Sequence, residues 1–305
     1  MVNARSLRGL LGRSTPLVSA SAWDCFTALL LEDAGFPVLH VSGASVSGSR
    51  LGLPDLGFLG LPDLADTVRS IARTVRAPLL VDADTGYGGV LQAIHTAEVL
   101  AAAGAAAIHL EDQVFPKRCG HLAGKEVVPA EEFAAKIRGV VENRPDPDFL
   151  IVARTDALAV EGVDAAIDRA NRYLDAGADI AFVEAARTVA DVARIGQEVR
   201  GPKLYNLATG GVGPELGIDE LGELGFAWIV VPGVALGAVL REIRAVGKRV
   251  LAERNDSAVS DTGFSPGALA ELFDVGRWNE LDSRYALHGE ATRHRTPGDP
   301  LHVDD

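Results

Sequence analysis

The chain has 305 residues, 48% of them hydrophobic, and a formal net charge of −13. With 29 Lys and Arg against 42 Asp and Glu, the balance argues against nucleic-acid binding, where phosphates need clustered cations, and against an anionic membrane surface. Cys25 and Cys119 are too few for a disulfide framework, and neither a signal-type apolar segment nor a run of about 18 apolar residues occurs, so a reduced, cytoplasmic, soluble protein is expected.

In chain order, short apolar runs at residues 16–20, 36–42, 79–84, 105–112, 149–156, 178–185, 203–208 and 226–232 read as eight strands bounded by turn signals. Helical spacing fills the gaps, as at 92–103, 130–142 and 163–176. Four strands are entered through one kind of junction: Asp33-Ala34-Gly35, Ala102-Ala103-Gly104, Asp175-Ala176-Gly177 and Glu223-Leu224-Gly225 each end a helix at a glycine suited to the left-handed cap. A repeated αβ unit with strands apolar on both faces predicts a parallel sheet, and eight units predict an α/β fold closed as a (β/α)8 TIM barrel. The open doubly wound sheet is the rival, and no Gly-x-Gly-x-x-Gly follows the first strand to support it. The barrel is expected over residues 1–253. Residues 254–295 are expected to add a helical extension, with helices at 266–275 and 278–287, that covers the barrel bottom or packs on a neighbouring subunit, and 296–305 to form a flexible tail.

In such a barrel the active site is built where strands end. Those ends carry Ser42-Gly43, Asp82 and Asp84, Glu111 and Asp112, Arg154 and Asp156, Glu184, and Asn206. Side chains two apart on a strand share a face, so Asp82 and Asp84 are expected to point the same way. One carboxylate alone is explained as well by helix capping. Three on adjacent strand ends, Asp82, Asp84 and Glu111, call for a hard cation between them, Mg²⁺ or else Mn²⁺. Arg154 behind an apolar strand suits bidentate capture of a substrate carboxylate, and an internal ion pair to Glu184 or Asp156 can coexist with that role. Ser42-Gly43-Ala44-Ser45 offers small side chains and backbone N–H groups to an anion. After the fourth strand, residues 114–125 contain Lys117-Arg118-Cys119-Gly120-His121. Glycines there suit a hinged lid, and the surrounding cations are expected to lower the thiol pKa and place it for proton transfer.

These residues closely resemble the isocitrate lyase/phosphoenolpyruvate mutase superfamily. The matching segments are Ser42-Gly43, Leu51-Gly52-Leu53-Pro54-Asp55, Asp82-Ala83-Asp84-Thr85-Gly86-Tyr87-Gly88, Glu111-Asp112-Gln113, Pro116-Lys117-Arg118-Cys119-Gly120-His121 and Ala153-Arg154-Thr155-Asp156, with Glu184 and Asn206. They span nearly the whole chain and look most like the branch that holds 2-methylisocitrate lyase, 2,3-dimethylmalate lyase and carboxyphosphoenolpyruvate phosphonomutase. The resemblance implies Mg²⁺, a mobile lid, and C-terminal helices exchanged between subunits of a homo-oligomer, a dimer of dimers. It implies Asp84 as the direct metal ligand, with Asp82 and Glu111 acting largely through water. Ser42, Gly43 and Ala44 would hold an oxo-acid carboxylate, and Asp55, Gly120, Arg154, Glu184 and Asn206 would touch the rest of a small carboxylic acid.

Lys117, Cys119, His121, Glu111 and Arg154 would be the catalytic set, with Cys119 protonating a departing carbanion. The implied reaction cleaves a 2-hydroxy di- or tricarboxylate, a 2-alkylmalate or methylisocitrate-like acid, to a 2-oxo acid and a carboxylate through an enolate-like intermediate. Phosphonomutase and oxaloacetate decarboxylase chemistry are the alternatives. Three positions depart from the lyase pattern. His40 stands where methylisocitrate lyases have tyrosine, and Thr209 where lyases usually have glutamate. Val231-Pro232-Gly233-Val234 replaces the common Pro-Leu-Ser. All three are expected in or near the part of the pocket that chooses the substrate.

Overall fold

The computed structural model describes residues 4–12, 15–120 and 122–286. Eight parallel strands pair in sequence order: β1 (Leu17–Ala22), β2 (Val38–Val41), β3 (Leu79–Asp82), β4 (Ala107–Glu111), β5 (Leu150–Thr155), β6 (Ile180–Val183), β7 (Lys203–Asn206) and β8 (Trp228–Val231). Strand β8 pairs back onto β1, closing the barrel. The (β/α)8 barrel read from the sequence is therefore the fold. Strand β1 runs two residues past the expected 16–20; each of the others lies inside its expected run. The junction glycines Gly35, Gly104, Gly177 and Gly225 all take left-handed φ values, from 92° to 108°. At Gly104 a Cβ would also lie 2.5 Å from the Cβ of Ala72, so side-chain size and backbone conformation both demand glycine there.

Two kinds of core hold the barrel. Outside it, Leu39, Val41, Leu79, Val81, Ile108 and Ile151 pack against Leu64, Val68, Ile71, Leu100, Phe133 and Ile137 of the helices. Each such side chain contributes about 1.5–3 kcal/mol on burial, so this shell is the main force closing the sheet. A separate cluster gathers Leu17, Val38, Ala107, Leu150, Ile180, Leu204 and Trp228, most of them at the N-terminal ends of their strands. The Trp228 indole Nε1–H donates to Ser19 Oγ at 2.9 Å, which satisfies its one polar group. Leu7 joins this floor, fully buried, from a helix at Ala4–Leu11 that the sequence reading did not foresee.

The chain divides into two compact units, residues 1–242 and 243–305, and the division falls inside the long helix Gly233–Glu253. In the second unit, helices Pro266–Leu272 and Val275–Tyr285 occupy most of the two segments expected to be helical. Ser265 Oγ caps the first at 3.0 Å from the amide of Ala268. Asp274, at a left-handed φ of 50°, breaks the chain between them and caps the second. The tail expected at 296–305 lies outside the described residues. Among the described residues no helix is long and apolar enough to cross a membrane.

Candidate active site

Above the apolar floor, at the C-terminal ends of the strands, lies a cavity of ≈ 140 Å³. Its lining repeats every second residue: His40 and Ser42, Leu80 and Asp82, Phe182 and Glu184, Leu204 and Asn206, Val230 and Pro232. On three of these strands alternation thus sets a polar group, Asp82, Glu184 or Asn206, above an apolar one, Leu80, Phe182 or Leu204. Ala44, Asp55, Cys119 and Gly120 come in from loops, and Arg154 from β5.

Asp82 and Asp84 do converge, though not by strand alternation. Strand β3 stops at Asp82, and Asp84 turns back with a left-handed φ of 47°, its amide donating to Asp82 Oδ1 at 3.2 Å. Gly43 makes room for both: a Cβ there would meet Asp82 Oδ2 at 3.0 Å and Asp84 Oδ1 at 3.5 Å. The Gly43 amide donates to Asp82 Oδ2 at 3.2 Å, so it is not the open anion donor the sequence suggested. Ser42 Oγ caps the amide of Ser45 at 3.4 Å, while Ser42 and Ala44 still line the cavity.

Lys117 Nζ lies 2.8 Å from Asp84 Oδ1 and also pairs with Asp55. Burial opposes its charge, but Asp84, Asp82, Glu111 and Asp55 outweigh burial and hold its pKa well above the ordinary lysine value. The sequence reading placed this cation around the thiol; the nearer, stronger attraction is to the buried carboxylates. Arg118 is exposed, its backbone clasped at 2.9 Å on each side by the amide of Gln113. His121 lies outside the described residues. Cys119 is half-buried in the cavity wall, and neither cysteine is in a disulfide.

Arg154 sits across from Glu111 in the β4–β5 register, with Nη1 3.2 Å from Glu111 Oε2. Its Nε and Nη2 fork onto Asp156 at 2.9 and 3.1 Å, and Nε lies 3.9 Å from Glu184. The internal ion pair is therefore present, and the guanidinium lines the cavity as well. Asn206 Nδ2 donates to Glu184 Oε1 at 3.3 Å.

The charges do not balance. Among the described residues, Asp55, Asp82, Asp84, Glu111 and Asp156 gather around three cations, Lys117, Lys125 and Arg154, with the His109 ring beside Asp82. Burial opposes ionisation of Asp82, yet His109, Lys117 and Arg154 on balance hold it well below the usual range. Asp84 is pushed up to about 7, by burial first and by the Asp82 charge second. Burial likewise pushes Glu111 well above the carboxylate range, with Arg154 only partly opposing. Both Glu111 oxygens and Asp84 Oδ1 are buried with no aligned hydrogen-bond donor, although Glu111 Oε2 and Asp84 Oδ1 have ion-pair neighbours. Surplus, under-bonded carboxylate oxygen fits a hard divalent cation. Among the described residues Asp82, Asp84 and Glu111 do not come together, as the sequence had suggested they would, as a group of three side chains placed to hold a metal ion; one or two carboxylates are the usual protein share of an Mg²⁺ site.

Sequence reasoning missed a buried chain beside these acids. Ser21 Oγ lies 2.8 Å from His40 Nδ1, His40 Nε2 3.1 Å from His109 Nε2, and His109 Nδ1 3.5 Å from Asp82 Oδ1. Burial, reinforced for His40 by the His109 charge, lowers the two pKa values to about 3 and about 4, so both rings are neutral near pH 7. The signal was available, since His109 stands two residues before Glu111 on the same strand face. Of the three departures, His40 and Pro232 line the cavity, whereas Thr209 is exposed and does not.

The sequence profile of a family described as phosphoenolpyruvate phosphomutase matches residues 7–251. The chain is 41% identical over 271 residues to carboxyvinyl-carboxyphosphonate phosphorylmutase of Arabidopsis thaliana, covering 87% of this chain and 79% of that protein. It is 39% identical over 283 residues to 2-methylisocitrate lyase of Salmonella typhimurium, covering 92% and 96%. A solved structure of phosphonopyruvate hydrolase in complex with oxalate and Mg²⁺ superposes with a TM-score of 0.84 at 28% identity, over 93% of this chain and 99% of that one.

Proposed function

Because this chain belongs to the phosphoenolpyruvate phosphomutase family, whose relatives are lyases and mutases, we propose that it is a divalent-metal-dependent lyase cleaving a C–C bond of a small 2-hydroxy dicarboxylate, a 2-alkylmalate-like acid, to a 2-oxo acid and a carboxylate. The observation that carries this reading is the pairing, in one cavity, of a thiol at Cys119 with a guanidinium at Arg154 suited to anchor a carboxylate.

Asp84, with Asp82 and Glu111 beside it, would hold the cation, Mg²⁺ or else Mn²⁺, whose chemistry is to stabilise negative charge on substrate oxygens. Arg154 binds a substrate carboxylate, and Asp156 keeps its fork aimed. Glu184 and Asn206 border the other end of the substrate. As the C–C bond breaks, its electron pair stays with the leaving fragment, the hydroxyl gives up its proton to solvent as the alcohol carbon becomes a carbonyl, and the Cys119 Sγ proton goes to the new carbanion, the thiolate then regaining a proton from solvent.

Incubation of 2-alkylmalates, methylisocitrate, oxaloacetate and carboxyphosphoenolpyruvate with Mg²⁺, scored for 2-oxo-acid release, tests the reading. Release from a 2-alkylmalate that stops when EDTA is added is the expected result. Decarboxylation of oxaloacetate alone, or a new C–P signal by phosphorus NMR with no C–C cleavage, would replace it.

The helix Gly233–Glu253 has no buried residue, and Leu236, Val239, Leu240 and Ile243 form an exposed apolar stripe at helical spacing. We propose that a second copy covers it in a homo-oligomer, a dimer of dimers. Sedimentation velocity is expected to show four times the chain mass of 32.0 kDa, and a monomer at micromolar concentration would refute this.

A further inference from the structure

Lys125 closes the loop that carries Cys119, and its side chain is almost wholly buried. Its ammonium donates to two acceptors of different kinds: the carbonyl of Gly120 within the loop, and Asp156 Oδ1, at 2.8 Å, on the barrel. Asp156 is the carboxylate that receives the Arg154 fork. It cannot shift easily, because its own amide donates at 2.9 Å to Asp112, which the Tyr173 hydroxyl holds at 2.8 Å.

The two ends of the loop differ in the same way. Its base is zipped to the barrel: the Val114 amide donates to Glu126 O at 2.8 Å and the Val128 amide to Asp112 O at 2.9 Å. Lys125 belongs to this fixed base. Gly120 belongs to the tip, and a Cβ there would lie 2.6 Å from Arg154 Nη2 and 2.5 Å from Glu184 Cγ. The tip therefore rests on the substrate-binding groups, and the Lys125–Gly120 bond ties that tip to the base. Asp156 already receives two hydrogen bonds from Arg154, whose charge it shares with Glu111 and Glu184. What Lys125 adds is the donor to the loop.

We propose that Lys125 is a positioning residue that latches the 114–125 loop shut and, through Asp156, aims Arg154 at the substrate. The second half rests on the proposed reaction, because it needs a substrate for Arg154 to hold; the first half does not. In the closed state one carboxylate reports to both the loop and the guanidinium. Opening frees the Gly120 carbonyl while leaving Lys125 on Asp156.

The test is alkylation of the full-length protein with iodoacetamide, without ligand, resolved by mass spectrometry into Cys119 and Cys25 peptides. Cys25, at the start of the helix Cys25–Asp33, reports on the fold as a whole. In Lys125→Met, Cys119 should react on the order of 10- to 100-fold faster, the range expected for losing a charge-assisted hydrogen bond, while Cys25 stays within about twofold. Should that variant not fold, Lys125→Leu, which likewise has no donor, carries the same expectation. An unchanged Cys119 rate overturns the latch, and parallel acceleration of both cysteines reduces Lys125 to a structural ion pair. For the aiming role, KM should rise more than kcat falls in the 2-oxo-acid assay. If no substrate turns over, the proposed reaction fails while the thiol rates still decide the latch.

Discussion

Arg154→Met should lower kcat/KM by about 10²–10⁴-fold, since two charge-assisted hydrogen bonds to a substrate carboxylate contribute roughly 1.5–3 kcal/mol each. The same change should destabilise the fold. Glu111, Asp156 and Glu184 are buried around the guanidinium, and leaving such a group without its cation costs about 3–5 kcal/mol. Lys125 remains on Asp156, so the variant should fold and be assayable. Steady-state kinetics and urea denaturation measure the two losses separately. A variant that keeps kcat/KM within tenfold would leave Arg154 as an internal ion pair only. Arg154→Lys is a sharper probe: it restores the charge but not the fork, so it should recover more stability than activity.

Cys119→Ser should reduce kcat by about 10²–10⁴-fold with KM nearly unchanged, the range in which a positioned proton donor acts. The hydroxyl nearly matches the thiol in size, so the loop and the cavity wall keep their shape. It is a far weaker acid, so the carbanion waits for its proton. The reading has a built-in discriminator. Transfer of a phosphorus group needs no proton from this position, and a chain that kept full turnover as the serine variant would not be using Cys119 as an acid. Rapid-quench measurement of the 2-oxo acid in a single turnover locates the loss in the chemical steps.

The barrel was legible because its strands are short, mostly apolar runs between turn signals, and because Gly35, Gly104, Gly177 and Gly225 repeat one cap. The strand-end residues were legible for the same reason, since a strand's end fixes what reaches the cavity. What the sequence hid depends on contacts distant in the chain or on irregular backbone. Asp55 meets Lys117 across 62 positions, so the lysine read as part of the thiol's surroundings. The left-handed turn at Asp84 is not a strand geometry, so the right convergence was expected for the wrong reason. The helix Ala4–Leu11 holds two arginines in eight residues and announces itself only through Leu7. Lys125 is one lysine among several until Asp156 and the Gly120 carbonyl are seen on either side of it.

Leu7 and Trp228 stop up the lower end of the barrel, so the cavity above them lies between that floor and the loops that bring in Cys119 and Asp55. A cleavage that makes two fragments in such a chamber discharges them in a set order, the one nearer those loops first. The fragment left behind occupies the free enzyme and competes with fresh substrate, whereas the first to leave does not. In the proposed lyase such queueing, imposed by a leucine and a tryptophan far from the chemistry, would join bond breaking in setting the turnover rate.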